Sequence, residues 1–141
     1  MTKSLPSGYE LHETADPVVA HAYLTRSYWA EGIPLETVER ALAASFVVSV
    51  THHGAQVAMA RLVTDYATFA YLADVYVLED HRRRGLAEAM LSYLQSHPCL
   101  QGLRRWMLAT ADMHALYAKM GWKPLLRPER IMERLFMDVY S

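Results

Sequence analysis

The chain has 141 residues, of which 52% are hydrophobic and 21% charged, and its formal net charge is −1. We expect a single domain over residues 1–141, since this length and composition suit one apolar core. The near-neutral charge disfavours nucleic acid as a partner. One cysteine, Cys99, cannot form an internal disulfide, and no run is long enough to span a bilayer. We therefore expect a cytoplasmic protein without a membrane partner.

The first third of the chain predicts one strand followed by two helices. Residues 9–13 read as a short strand. Asp16 before Pro17 is a typical helix start, because aspartate accepts hydrogen bonds from the first turn and proline suits its first position. The helix is expected over 17–28, and Pro34 marks a similar start for a second helix over 34–44.

The middle of the chain predicts three strands. Residues 46–51 and 56–63 are rich in strand-forming side chains. They flank His52-His53-Gly54-Ala55, which is a hairpin signal. A longer strand is expected over 68–77.

The last third predicts a helix, a strand, a second helix and a final strand. Apolar residues fall at helical spacing over 86–97, and Pro98 ends that helix. Strands before and after helices in this order predict a mixed α/β sheet. The last three elements are a strand at 106–110, a helix at 112–120 with Asp112 and Gly121 as its caps, and a strand at 131–139.

Three arginines and a glycine stand between a predicted strand and a predicted helix, in the order Arg82-Arg83-Arg84-Gly85-Leu86-Ala87. The first turn of a helix carries unpaired N–H groups and partial positive charge, so cations there are unfavourable. An anionic ligand would reverse the sign, and Gly85 would let it approach the main chain. This loop therefore predicts a phosphate site, with a solvated basic turn as the alternative.

A second motif, Leu116-Tyr117-Ala118-Lys119-Met120-Gly121-Trp122, follows about thirty residues later. Together the two motifs resemble the GNAT superfamily of acyl-CoA-dependent N-acyltransferases. The family patterns are Gln/Arg-x-x-Gly-x-Gly/Ala and Leu-Tyr-x-x-x-Gly-Phe, and Trp122 replaces the phenylalanine. The resemblance covers about residues 9–137 and is motif-specific over 70–122. It implies a mixed, mostly antiparallel central sheet flanked by helices, with a splayed parallel strand pair at the CoA site.

The resemblance also implies acetyl-CoA as cosubstrate. The main chain of Val75 and Val77 would pair with the pantetheine arm, although two ordinary core valines fit the residues equally well. The N–H groups of Arg84, Gly85 and Ala87 would hold the pyrophosphate. The implied cofactor-binding set is Val75, Val77, Arg82, Arg83, Arg84, Gly85, Leu86 and Ala87. We expect no metal, since His52 and His53 lack a third ligand at metal spacing.

Two residues are candidates for proton transfer. The family's tyrosine, which serves the leaving thiolate, corresponds to Tyr117, and a phenol keeps its proton at neutral pH. A ring packed against the sheet is the alternative. Asp74 interrupts an apolar strand and is a candidate base, or an acid that bonds a neighbouring loop. Some family members place this carboxylate earlier on the strand, where this chain has Ala73 and Tyr71.

The segment between the first two predicted helices often lines the acceptor site in GNAT proteins. Here it carries Tyr28, Trp29 and Glu31, which suit a cationic amine through ring faces and a carboxylate. Simple packing of the two rings explains them as well.

We therefore expect an N-acetyltransferase that passes an acetyl group directly from acetyl-CoA to a primary amine in a ternary complex. The sequence shows no convincing Cys-His or Ser-His pair, so we expect no covalent enzyme intermediate. A non-catalytic CoA-binding sensor is the alternative. The acceptor is a small-molecule or peptide amine, and a homodimer is left open.

Overall fold

A five-stranded sheet forms the centre of the structure, a computed structural model that describes residues 4–141. The first four strands run antiparallel to their neighbours, and the last pair is parallel. This arrangement confirms the predicted mixed, mostly antiparallel sheet. The strands, in spatial order, are β1 (Tyr9–His12), β2 (Phe46–His52), β3 (Ala55–Thr64), β4 (Phe69–Val77) and β5 (Arg105–Leu108).

Four α-helices flank the sheet in the part of the chain that the structure describes. Short 3-10 turns cover Glu79–His81, Pro98–Leu100 and Pro128–Arg130. Within residues 4–141, no helix is long and apolar enough to cross a membrane. The helices are α1 (Pro17–Leu24), α2 (Leu35–Ala43), α3 (Leu86–Ser96) and α4 (His114–Lys119).

The start of α1 is confirmed, but its predicted end is wrong. The Asp16 carboxylate accepts hydrogen bonds from the N–H groups of Val18 and Val19, at 2.9 and 3.4 Å. The helix stops at Leu24, four residues early. Ser27 explains the stop, because its hydroxyl donates to the Leu24 carbonyl at 2.7 Å and accepts from a later N–H group. The chain therefore leaves α1 as a loop that carries Tyr28 and Trp29.

The two faces of the sheet bury separate apolar clusters. One face packs against α3, and Val75 and Val77 of β4 lie at the margin of its cluster. The other face packs against α1 and α2 and includes Met59 and Tyr76. Alternation along β3 and β4 divides the side chains between these faces. The two layers of helices thus hold β4 from both sides.

The hairpin between β2 and β3 turns where the sequence predicts it. His53 has φ 48° and Gly54 has φ 87°. Positive φ at both central residues is typical of two-residue turns whose twist matches that of the strands. This turn sets the first two pairs of the hairpin, and a bulge between Val50 and Thr51 then shifts the register of β2 and β3.

The predicted cap of the last helix is wrong. Asp112 does not cap α4, which begins after Met113 without a side-chain cap. Instead, the Thr110 hydroxyl accepts a hydrogen bond from the Met113 N–H group at 3.0 Å. Gly121 follows the helix with φ 98°, as its position predicts.

The predicted final strand is also wrong. Residues 131–139 form no strand, and all of them are exposed. A strand requires a partner to pair its main chain, and none of the described strands lies beside this segment. The segment has the sequence pattern of a strand. Within residues 4–141, however, no neighbouring strand forms main-chain hydrogen bonds with it.

We expect Leu94→Ala to lower the free energy of unfolding by about 2–5 kcal/mol. Leu94 is fully buried between α3 and the sheet, so its truncation leaves a cavity. Urea unfolding followed by circular dichroism measures the change. The control is Val18→Ala at an exposed position, which should stay within about 0.5 kcal/mol of the parent. Equal losses in both variants would contradict this account of the core.

Candidate active site

An extra residue in β4 shapes the site. On β3, Met59 pairs with Tyr76 while Arg61 pairs with Ala73, so β4 uses one more residue than its partner. Asp74 lies within this bulge and has φ 52°, in the left-handed region that few non-glycine residues adopt. A bulge bends the strand that carries it. The bend begins where the site begins.

Beyond the bulge, β4 and β5 separate. Their parallel pairing runs from Phe69 and Arg105 to Leu72 and Leu108, whereas β4 continues to Val77. A cavity of about 1230 Å³ lies at this separation. Its walls come from the end of β4, the chain after β5, the start of α3, and the loop after α1. The splayed parallel strand pair is thus confirmed.

The start of α3 opens into this cavity. Gly85 precedes the helix with φ 77°, and no side chain caps the first turn. Arg83 also has a positive φ, 64°. Gly85, Leu86 and Ala87 all line the cavity, so N–H groups with no side-chain cap face a ligand-sized space. This geometry suits an anion such as a pyrophosphate.

The three arginines do not all line the cavity. The Nε of Arg82 donates to the Val77 carbonyl at 2.9 Å, and its Nη2 donates to the Tyr23 hydroxyl at 3.3 Å. Arg83 lines the cavity beside Arg82, whereas Arg84 is outside its lining. Burial lowers the pKa of His52, and the charges of His53, His81 and Arg84 act in the same direction. Arg84 therefore lies near the histidines at the hairpin tip.

Tyr117 lies on α4 in the wall of the cavity. Its side chain is 8% exposed, and its ring packs edge-on against Trp122 at 6.0 Å between centroids. Burial raises the pKa of Tyr117 to about 12, with Tyr28 and Asp112 acting in the same direction. No hydrogen bond from residues 4–141 occupies its hydroxyl. The phenol therefore keeps its proton near neutral pH and can donate a hydrogen bond to a ligand.

Asp74 joins β3 to the loop after α1. One carboxylate oxygen accepts from the Trp29 Nε1 at 2.9 Å, and the other pairs with the Arg61 Nε at 2.7 Å. Arg61 also donates to the Ser45 hydroxyl at 3.2 Å. The side chains of Asp74 and Arg61 are only 12% and 19% exposed. The sequence analysis did not single out Arg61 as a site residue. An arginine inside an apolar strand was an available signal, because a buried arginine is almost always paired with an acid.

Aromatic residues of the loop after α1 line one part of the cavity, its aromatic end. Tyr28 and Trp29 are exposed and meet edge to face, with ring centroids 5.1 Å apart. The Tyr28 hydroxyl also accepts a hydrogen bond from the Ala111 N–H group at 3.3 Å. Glu31 is exposed and does not line the cavity. The structure thus brings Tyr28 and Trp29 together with Asp74 and Tyr117, and leaves Glu31 outside.

The fold and the cavity agree with comparisons to known proteins. The acetyltransferase (GNAT) family model matches residues 6–122, and the chain belongs to this family. A crystal structure from Xanthomonas campestris pv. campestris, assigned to the GNAT family, is 43% identical. The aligned region covers 98% of this chain and 99% of the Xanthomonas chain, with a TM-score of 0.92.

Two further comparisons concern part of the sequence and the fold, respectively. A protein from Gibberella zeae, assigned as an acetyltransferase, is 44% identical over 72 residues, which cover 48% of this chain and 40% of the relative's length. The glucosamine-6-phosphate N-acetyltransferase from Arabidopsis thaliana is 13% identical, with a TM-score of 0.68 over 92% of this chain and 99% of that chain. The second likeness shows the fold alone.

We expect Asp74→Asn to loosen Trp29. The amide cannot pair with Arg61 as a carboxylate does, so the acceptor for the Trp29 indole loses its fixed position. In a proton NMR spectrum, the Trp29 indole N–H resonance should shift, and its exchange with water should accelerate. The internal control is Trp122, whose indole donates to Gln95 at 2.8 Å and should not change. An unchanged Trp29 resonance would contradict the assigned contact.

Proposed function

We propose that this protein transfers the acetyl group of acetyl-CoA directly to a primary amine within a ternary complex. One observation carries the proposal. A single cavity contains the uncapped start of α3, the separated end of β4 and the free hydroxyl of Tyr117. An anion site, a main-chain edge and a proton donor are the groups that a CoA thioester requires.

The cosubstrate would bind from the start of α3 toward the bulge. The N–H groups of Gly85 and Ala87, which line the cavity, would hold its pyrophosphate, with Arg83 adding charge from the cavity wall. The pantetheine arm would follow the part of β4 that lacks a β5 partner. The Val77 carbonyl already accepts from Arg82, so we assign the main-chain contacts first to Val75.

The reaction requires a neutral amine and a stabilised leaving group. The amine nitrogen attacks the thioester carbonyl carbon, and the carbon–sulfur bond then breaks with its electron pair on sulfur. We assign Tyr117 to the departing thiolate. A phenol with a pKa of about 12 holds its proton more tightly than an ordinary thiol, whose pKa is roughly 8.5. Tyr117 would therefore stabilise the thiolate mainly through a hydrogen bond.

The aromatic end of the cavity would receive the acceptor amine. The ring faces of Tyr28 and Trp29 attract a cation, whereas the charge of the Asp74 carboxylate is largely offset by its ion pair with Arg61. Glu31 would act only at the entrance, since it lies outside the lining. The proton that the amine loses would pass to Asp74 or to water.

Thiol release from acetyl-CoA over a broad panel of amines tests the function. Release that depends on one amine class would support the proposal and identify the acceptor. Tight CoA binding without release over the whole panel would favour the non-catalytic sensor. A protein that binds no CoA would contradict both.

We expect CoA to raise the thermal midpoint of the parent but not that of Gly85→Val. A ligand at 100 times its dissociation constant stabilises the folded state by about 2.7 kcal/mol. Valine at this positive-φ position would distort the loop and obstruct the phosphate. The matched control is Gly102→Val, because Gly102 has φ 79° and lies outside the cavity. A full CoA shift in a folded Gly85→Val protein would exclude this loop as the phosphate site.

We expect Tyr117→Phe to lower turnover by about 10²–10³-fold while CoA affinity changes little, because the variant loses one hydrogen bond to the departing thiolate. The substitution keeps the ring against Trp122 and removes only the hydroxyl. Turnover is measured at saturating acceptor, together with the CoA dissociation constant. Tyr93→Phe, on α3 outside the cavity, serves as the control. Turnover within about threefold of the parent, roughly 0.7 kcal/mol of barrier, would rule out the assigned role.

A further inference from the structure

One nitrogen of the Arg61 side chain is not used by the rest of the structure. The Nε of Arg61 pairs with the Asp74 carboxylate, and its Nη1 donates to the Ser45 hydroxyl at 3.2 Å. Its Nη2 has no partner among residues 4–141. Every buried side-chain nitrogen and oxygen atom of these residues has a partner, so Nη2 is reachable from solvent. Because Arg61 lines the cavity, a molecule bound there can reach this nitrogen.

The guanidinium group of Arg61 is held in one orientation from two sides. The Ser45 hydroxyl that accepts from Nη1 donates in turn to the Ala41 carbonyl at 2.7 Å, near the end of α2. On the other side, the Asp74 carboxylate is fixed by the Trp29 indole. A guanidinium group that is already oriented loses little freedom when it binds, and its planar donors match the oxygen atoms of a carboxylate. Nη2 is therefore a preformed donor for an acidic group.

The structure leaves room for such a group beside Arg61. The residue that pairs with Arg61 across the two strands is Ala73, whose side chain is a single methyl group. Side chains that pair directly across antiparallel strands lie close together on one face, so the space above Ala73 adjoins the guanidinium group. Tyr71 of β4 and Thr37 of α2 line the same cavity, and neither carries a charge at neutral pH. A small acidic group can therefore reach Arg61 without meeting a further acid from these residues.

The ion pair of Arg61 and Asp74 also has a direction. Its negative end, Asp74, contacts Trp29 at the aromatic end of the cavity, and its positive end, Arg61, lies beside the end of α2. The pair is neutral as a whole, so it attracts a purely positive or purely negative ligand only weakly. It favours a ligand that carries both charges in the opposite order. An amine at the aromatic end and a carboxylate at Arg61 fit this arrangement.

We propose that the acceptor is a small molecule with both an amine and a carboxylate, as in an amino acid, and that Arg61 binds the carboxylate. The inference rests on the proposed acetyl transfer, since it names the acceptor of that reaction. The Nη2 of Arg61 donates to the carboxylate while the amine lies beside Tyr28 and Trp29. Arg61 thus determines specificity and takes no part in bond making. Polyamines are poor acceptors on this account, because Arg61 repels their second cation.

Matched acceptors test the inference directly. Common L-amino acids are compared with their carboxamides, which keep the amine and the side chain but lose the negative charge. We expect the best amino acid to exceed its carboxamide by about 10–100-fold in kcat/KM per neutral amine, because a hydrogen bond to a charged group contributes on this scale. Equal or faster transfer to the carboxamides would overturn the inference. So would a panel in which polyamines but no amino acids are acetylated, and acetyl transfer itself would then stand.

Substitution of Arg61 shows whether this residue causes the preference. We expect Arg61→Gln to bring the ratio between amino acid and carboxamide close to one. A purely structural defect would slow transfer to both acceptors and leave their ratio unchanged. The control is Arg26→Gln, because Arg26 also lines the cavity but donates to the Ala22 carbonyl, and this variant should keep the preference. A folded Arg61→Gln protein with the full preference would contradict the assignment.

Binding gives an answer that does not depend on turnover. Calorimetry on the parent protein saturated with CoA should show that at least one amino acid binds more tightly than its carboxamide, and this result needs no variant. A protein that binds CoA but no amino acid would overturn the inference. A protein that binds the amino acid through its carboxylate yet releases no thiol from acetyl-CoA would contradict the proposed acetyl transfer and leave the carboxylate site in place.

Discussion

A left-handed conformation costs a non-glycine residue on the order of 1 kcal/mol, and Asp74 maintains one inside a strand. Its carboxylate is tied to Arg61 on β3 and to Trp29 on the loop after α1. These two contacts offset the strain and hold the extra residue of β4 in place. Because of that residue, β4 turns away from β5 after Leu72. The cavity, its free main-chain edge and the position of its aromatic end all depend on this one irregularity.

The helices on the two faces of the sheet hold the bulged strand β4 in place. On one face, α3 contributes Leu91 and Leu94 to the core, and the same helix directs its uncapped start into the cavity. Core packing therefore fixes where the first-turn N–H groups point. On the other face, Tyr23 of α1 stacks on Tyr76 of β4 with ring centroids 4.2 Å apart. The start of α3 and the aromatic end of the cavity are thus positioned by elements that mainly contribute apolar packing.

Local features of this chain could be predicted from the sequence, and long-range pairings could not. The arginine loop, the hairpin turn and Tyr117 each depend on residues close together in the chain. The Asp74 network joins residues 13 and 45 positions apart, so no spacing rule indicated it. Asp112 looked like a cap because its residue type suits one, yet α4 begins without a side-chain cap. The final strand failed for a different reason: its pattern is real, but pairing is a property of the neighbour as well as of the segment.

Arg82 connects two regions that bind different partners in the proposed reaction. Its guanidinium group reaches the Val77 carbonyl at the end of β4 and the Tyr23 hydroxyl on α1, the helix that leads into the Trp29 loop. A phosphate that draws this cation toward itself must compete with both contacts. Release of Tyr23 would then change how firmly the helix before the Trp29 loop is held. Thermodynamic linkage makes this effect reciprocal. If a bound phosphate changes the affinity for the acceptor by some factor, a bound acceptor changes the affinity for the phosphate by the same factor.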